Sequence, residues 1–151
     1  MTVGDLDQLL LDAAAEVLET MFFTSLAEEG EPAPPMTEPC VCARLSFSGA
    51  RSGRLGVRVP LETAREIAAN FLGLEGQELT EARVNDVICE LTNMVCGLVL
   101  GRAHGDGLFE LSRPEIGSRE SGCPRGQAAA SRTLALEAGA IEVWLEWERP
   151  Q

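Results

Sequence analysis

Asp86, Glu90 and Asn93 stand four and three residues apart, and Gly97 follows four later. At about 100° per residue along a helix, these four positions fall within roughly 60° of one another. Two carboxylates, a carboxamide and a patch of bare backbone then share one stripe. A carboxylate accepts hydrogen bonds and pairs with a cation, whereas a carboxamide both donates and accepts and so can hold a water molecule in one orientation. Glycine lets a second surface come close. Two carboxylates on one straight helix are too few ligands for tight Mg²⁺ binding by the chain alone. Val84, Ile88, Leu91, Val95 and Leu98 lie nearly opposite and read as the core face. Val87 and Met94 flank one edge of the stripe, and Cys89 and Cys96 the other. An acidic face opposite an apolar one is ordinarily just solvated surface. Asn and Gly fit that reading poorly, because both weaken a helix interior, Gly by about 1 kcal/mol relative to Ala.

Other chemistry is poorly supplied. The stretch from Gly101 to Gly107 lacks the Lys-Ser/Thr ending of a phosphate-binding loop. His104 is the only histidine, with no recognisable nucleophile motif near it. Asp86 and Glu90 as a glycosidase pair would need a sugar cleft across a convex helix. Cys40 and Cys42 form a close pair, but no second pair follows at zinc-finger spacing, so no metal site is expected. A redox or metal sensor built from Cys40, Cys42 and Cys123 is a weaker alternative.

The elements that would carry the stripe follow from hydrophobic periodicity. Asp5 to Leu26 has apolar residues at helical spacing, among them Leu6, Leu10, Ala13, Val17 and Met21. Glu28 to Pro39 is proline-rich and reads as a loop. Val41 to Phe47 and Leu55 to Val59 alternate apolar with polar residues around a glycine-bearing turn, which predicts a hairpin with one apolar and one basic-polar face. Pro60 opens a short helix that Gly73 stops, and Thr80 is a candidate cap for the long helix running to about Ala103. Leu108 to Ser112 reads as a third strand closed by Pro114, and Gly117 to Gln127 as a polar loop. Arg132 to Glu137 and Ala140 to Glu148 make a closing hairpin. The order predicts an α+β fold over residues 1–151 as a single domain: an antiparallel sheet with helices, two of them long, packed on one face.

Composition narrows the partners. The 151 residues carry 12 basic and 24 acidic side chains, a formal net charge of -12, and neither a phosphate-rich nucleic acid nor an anionic membrane suits that field. Aromatic residues make up 5% with no Tyr, which argues against a base-stacking platform. The first ten residues hold two aspartates and no basic residue, unlike a secretory signal, and Val84 to Leu100, the most apolar stretch, is broken by Asp86, Glu90 and Asn93. With an odd count of five cysteines, these features predict reduced thiols and a cytoplasmic protein. Trp144 between Glu142 and Glu146 on the acidic side of the last strand is an uncomfortable surface residue unless something covers it.

The spacing Asp86-x3-Glu90-x2-Asn93, with Pro114 after 20 intervening residues, resembles the signature of the CheC/CheX/FliY phosphatases, although the family's proline follows at a slightly longer interval. The text from Val84 to Gly97 looks like that family's active helix, and Glu16 to Phe22 is similar to the opening helix of the CheX type. A second copy of the motif occurs in the two-site CheC type. Here Asp12-x3-Glu16-x2-Glu19 has Glu in place of Asn, so the resemblance points to the single-site CheX type. It implies removal of phosphate from a phosphorylated CheY-like response regulator, with Mg²⁺ and a lysine supplied in the regulator's own site, and a homodimer. It also implies roles: Asn93 orients the attacking water, Glu90 pairs with the regulator's lysine, and Asp86, Met94, Gly97 and Pro114 contact or shape the docking surface. The rival reading is a non-catalytic module of the same fold that binds a response regulator or a larger assembly.

Overall fold

In the computed structural model, residues 3–28, 32–103, 107–117 and 130–148 are described. His104 and Cys123 lie outside them, and with them the sensor alternative that invoked Cys123. Three helices, α1 (Val3–Met21), α2 (Leu61–Leu72) and α3 (Glu81–Ala103), lie on one face of an antiparallel sheet. Its strands are β1 (Cys40–Gly49), β2 (Gly53–Pro60), β3 (Phe109–Leu111), β4 (Glu115–Gly117), β5 (Ala130–Leu136) and β6 (Gly139–Trp147). The strand order is β3-β1-β2-β6-β5, and β4 also pairs with β1. This is the expected α+β arrangement.

Alternation sets the two faces of the sheet. Val41, Ala43, Leu45 and Phe47 of β1, with Leu55, Val57 and Val59 of β2 and Ile141, Val143 and Leu145 of β6, join the core with the helices. Leu10, Leu18, Ile67, Ile88 and Leu91 meet them from the helical layer, all fully buried. The opposite face carries Arg54 paired with Glu146 at 3.2 Å, and Arg58 with Glu38 at 3.6 Å.

Three local features differ from the sequence expectation. First, α1 stops at Met21 rather than Leu26, because Phe23 takes a left-handed conformation (φ 52°), the place a glycine usually fills, and Thr24 N–H turns back to the Leu18 carbonyl at 3.0 Å. The chain then bridges to β5 at Leu26 and Leu136. Second, the edge beside β1 is two short strands. β3 pairs with Phe47–Gly49 and β4 with Cys42–Arg44, and Pro114, which has no N–H to give to a ladder, lies at the break. Third, Trp144 needs no partner molecule to cover it. It is 3% exposed, its indole lies over Gly56 on the neighbouring strand, and a Cβ at that glycine would collide with the ring. The acidic neighbours in sequence gave the wrong impression, because cross-strand neighbours decide burial in a sheet.

By length and composition, α3 is the one described helix that could cross a membrane. It is a core helix instead: half of its most apolar window is buried, and it packs on α1, α2 and β1.

Candidate active site on the long helix

Thr80 caps α3, its hydroxyl oxygen accepting from Arg83 N–H at 3.2 Å, as its side chain and position predict. The core stripe of Val84, Ile88, Leu91 and Val95 is buried, and Thr92 is buried with its hydroxyl donating to the Ile88 carbonyl at 2.7 Å. That anchoring fixes the rotation of the helix. Asp86, Glu90 and Gly97 are consequently exposed, with Asn93 and Met94 half-buried along the same side. The structure thus brings Asp86, Glu90, Asn93 and Gly97 together on one outward stripe. Among the described residues, no side chain donates a hydrogen bond to Asp86, Glu90 or Asn93, and none pairs with the two carboxylates in a salt bridge. A Cβ placed on Gly97 would find nothing within 4 Å, so the fold itself does not require that glycine.

The two flanks of the stripe differ. On one, Pro114 comes to the helix from the β3–β4 corner, where the Cys89 thiol reaches its carbonyl at 3.9 Å. The proline therefore sits against the Cys89 flank of the stripe despite its distance in sequence. Burial raises the Cys89 thiol pKa, with the Asp86 charge adding to the effect, and burial pushes Cys96 up to about 12. Neither is a thiolate nucleophile at neutral pH. On the other flank lies a groove of about 690 Å³ between the end of α2 and the first half of α3. Phe71, Leu72, Leu74 and Val87 supply its apolar lining, and Asp86, Glu90 and Arg83 its charged lining. Of these, Val87 was expected as a flank of the stripe, whereas Phe71, Leu72 and Leu74 were not part of the expected site. Leu72 falls outside the buried set of α2 and is 39% exposed, so the core pattern of the helix does not single it out in the sequence.

Among the described residues, no group of three or more His, Cys, Asp or Glu side chains gathers into a metal-binding set. The chemical content of the site is therefore an accepting carboxylate one helical turn from a donor–acceptor carboxamide, backed by a second carboxylate and open backbone.

The fold agrees with comparisons to known proteins. The crystal structure of CheX from Vibrio vulnificus matches with a TM-score of 0.72 at 21% identity, covering 98% of this chain and 99% of that one. A CheX–CheY–BeF3–Mg²⁺ complex from Borrelia burgdorferi matches at 0.64 and 20% identity, covering 94% and 97%. Thermotoga maritima FliY matches at 0.60 and 15% identity, covering 96% and 87%. Among curated protein sequences, none matches. The model of the chemotaxis phosphatase CheX family matches residues 41–130, a span that holds all but the first residue of β1, with β2, α2, all of α3 and Pro114, and the chain belongs to that family.

Proposed function

We propose that this protein, acting as a single domain over residues 1–151, accelerates hydrolysis of the aspartyl phosphate of a CheY-like response regulator. The observation that carries the reading is the pair Glu90 and Asn93, one helical turn apart on the outward side of α3, without hydrogen-bond or salt-bridge partners among the described residues, in a chain of the CheX family. A structural relative was captured with CheY, BeF3 and Mg²⁺, which supports the choice of partner.

The reaction asks little of the phosphatase. Water attacks phosphorus, the bond from phosphorus to the aspartyl oxygen breaks, and a carboxylate leaves with inorganic phosphate as the other product. The leaving group is good, so a strong base is unnecessary. Mg²⁺ held in the regulator's site neutralises charge on the phosphoryl oxygens. The Asn93 carboxamide oxygen accepts a hydrogen bond from the water and turns its lone pair toward phosphorus, while the amide nitrogen donates to a neighbouring oxygen. Glu90 accepts a charge-assisted hydrogen bond from the regulator's lysine and so sets the register of the helix on its partner. Asp86 adds to docking, Met94 and Gly97 give the partner a close approach, and Pro114 holds the β3–β4 corner against the helix. The protein then works in the cytoplasm beside its regulator.

The test is phosphate release from phosphorylated regulators with Mg²⁺ present, comparing wild type with Asn93→Ala. Loss of turnover with retained binding supports the reading, and unchanged release by the variant overturns the role of Asn93. A wild type that binds a regulator but never accelerates phosphate loss selects the non-catalytic module. A homodimer belongs to the proposal through family likeness alone, since Trp144 is covered by its own chain. Light scattering at about twice 16.2 kDa supports it, and a 16.2 kDa particle at high concentration overturns it.

A further inference from the structure

We propose that the apolar groove beside the stripe is the second half of the docking surface, and that it seats an exposed apolar side chain of the response-regulator partner next to the basic side chain that Glu90 engages. The proposal rests on the phosphatase reading above. Three observations carry it. The groove is continuous with the stripe, because Asp86 and Glu90 belong to both. Its apolar lining comes from Phe71, Leu72, Leu74 and Val87, and its charged lining sets two carboxylates against one guanidinium, that of Arg83, which donates to the Glu78 carbonyl at 2.9 Å. An occupant that satisfies both must present an apolar side chain beside a cationic one. The wall is also held ready. Phe71 stacks on the buried Phe22 with ring centroids 4.5 Å apart, so the ends of α1 and α2 are locked together. Met21, Phe23 and Leu72, three of the exposed large apolar side chains, all stand at those two helix ends. Phe23 is 67% exposed and is held there in a left-handed conformation that a bulky residue rarely adopts. Exposed apolar surface gathered beside a motif for another protein's phosphoryl group is what a docking patch requires.

The experiment uses the full chain and the single-domain response regulators of its source organism. Affinity is measured with the BeF3–Mg²⁺ form, and turnover with regulator phosphorylated by acetyl phosphate. For Leu72→Asp, Kd and KM should rise by about tenfold or more while kcat at saturation stays at the wild-type value, because Leu72 touches nothing at the phosphoryl group. Leu72→Ser, which adds no charge, should move both constants in the same direction by less and guards against a folding defect in the first variant. Unchanged Kd and KM in both variants, with wild-type turnover intact, overturns the groove and leaves the phosphatase reading standing. A wild type that binds without releasing phosphate overturns the phosphatase reading, and the Kd comparison still decides the groove. If Leu72→Asp instead converts a wild-type dimer to a monomer without changing regulator affinity, the groove's occupant is a second copy of the chain and the proposal fails.

Discussion

The helices α1 and α3 carry the same spacing of polar residues and use it differently. On α1 the positions are Asp12, Glu16 and Glu19; on α3 they are Asp86, Glu90 and Asn93. Asp12 accepts from the Gln8 amide at 2.8 Å, and Glu16 is paired with Arg102 in the last turn of α3. Two of the three α1 acids are therefore spent within the chain, one on its own helix and one fastening α1 to α3. The α3 residues face outward with no such partner among the described residues. A carboxylate that already holds an arginine gains little by docking to a second cation, whereas an unengaged one has its full capacity for another molecule. Glu19 also stands where the stripe on α3 has a carboxamide, and a carboxylate cannot donate a hydrogen bond. Position in a motif is thus not enough; the state of each side chain in the folded chain separates the two copies.

The largest expected effect breaks the comparison at its chemical residue. Asn93→Ala should reduce phosphate release by on the order of 10²-fold, about 2.7 kcal/mol in the transition state, with binding of the BeF3-loaded regulator nearly unchanged. Single-turnover kinetics at saturating regulator read the chemical step alone. Next comes the carboxylate. Glu90→Ala should weaken binding by about 1–3 kcal/mol, while the equivalent change on the other helix, Glu16→Ala, should leave regulator affinity and turnover alone and lower stability by less than about 1 kcal/mol, the range of an exposed ion pair. Titration calorimetry and thermal melts on the two variants separate these outcomes, and equal losses of affinity would erase the distinction between the helices. The smallest effect is the most diagnostic in sign. Gly97→Ala should stabilise the fold by about 0.8–1.0 kcal/mol, because its Cβ enters open space on a helix, yet weaken regulator binding if the bare backbone serves a close approach. A stabilised variant with undiminished affinity would mean that Gly97 contributes nothing to docking.

Most elements were legible in the sequence because their large aliphatic residues fall on one side. The aliphatic residues of β1, β2 and β6 fall at every second position, α2 and α3 repeat at helical spacing, and Thr80 and Gly73 mark the start of α3 and the end of α2. What escaped depends on contacts between distant segments. Nothing in the composition around Phe23 announces a left-handed residue, so the end of α1 was placed too late. β4 is too short for alternation to register, and it exists because β1 offers it an edge. The stripe on α3 was readable from periodicity, and its chemistry from family likeness. The groove beside it was not, since its walls come from two helices whose approach is set by core packing and by the Phe22–Phe71 stack. The same limit applies to Trp144, where the sequence places the side chain on the correct face but says nothing of Gly56 beneath it.

That tryptophan gives the protein a built-in optical probe of one layer. Both tryptophans lie on β6: Trp144 is buried over Gly56, with its indole N–H lacking an acceptor among the described residues, and Trp147 packs edge-on to Phe47 beneath the Arg51 guanidinium. An indole shielded from water emits at shorter wavelength than a solvated one, so Trp144 should dominate the blue side of the spectrum and shift red when the sheet opens. The stripe proposed to dock the regulator faces outward on α3, whose contacts with the sheet fall mainly on β1, β2 and β4 rather than on β6. Intrinsic emission should therefore track the integrity of the sheet and stay nearly silent when a partner settles on the helix, which lets folding and docking be followed in one sample by separate signals.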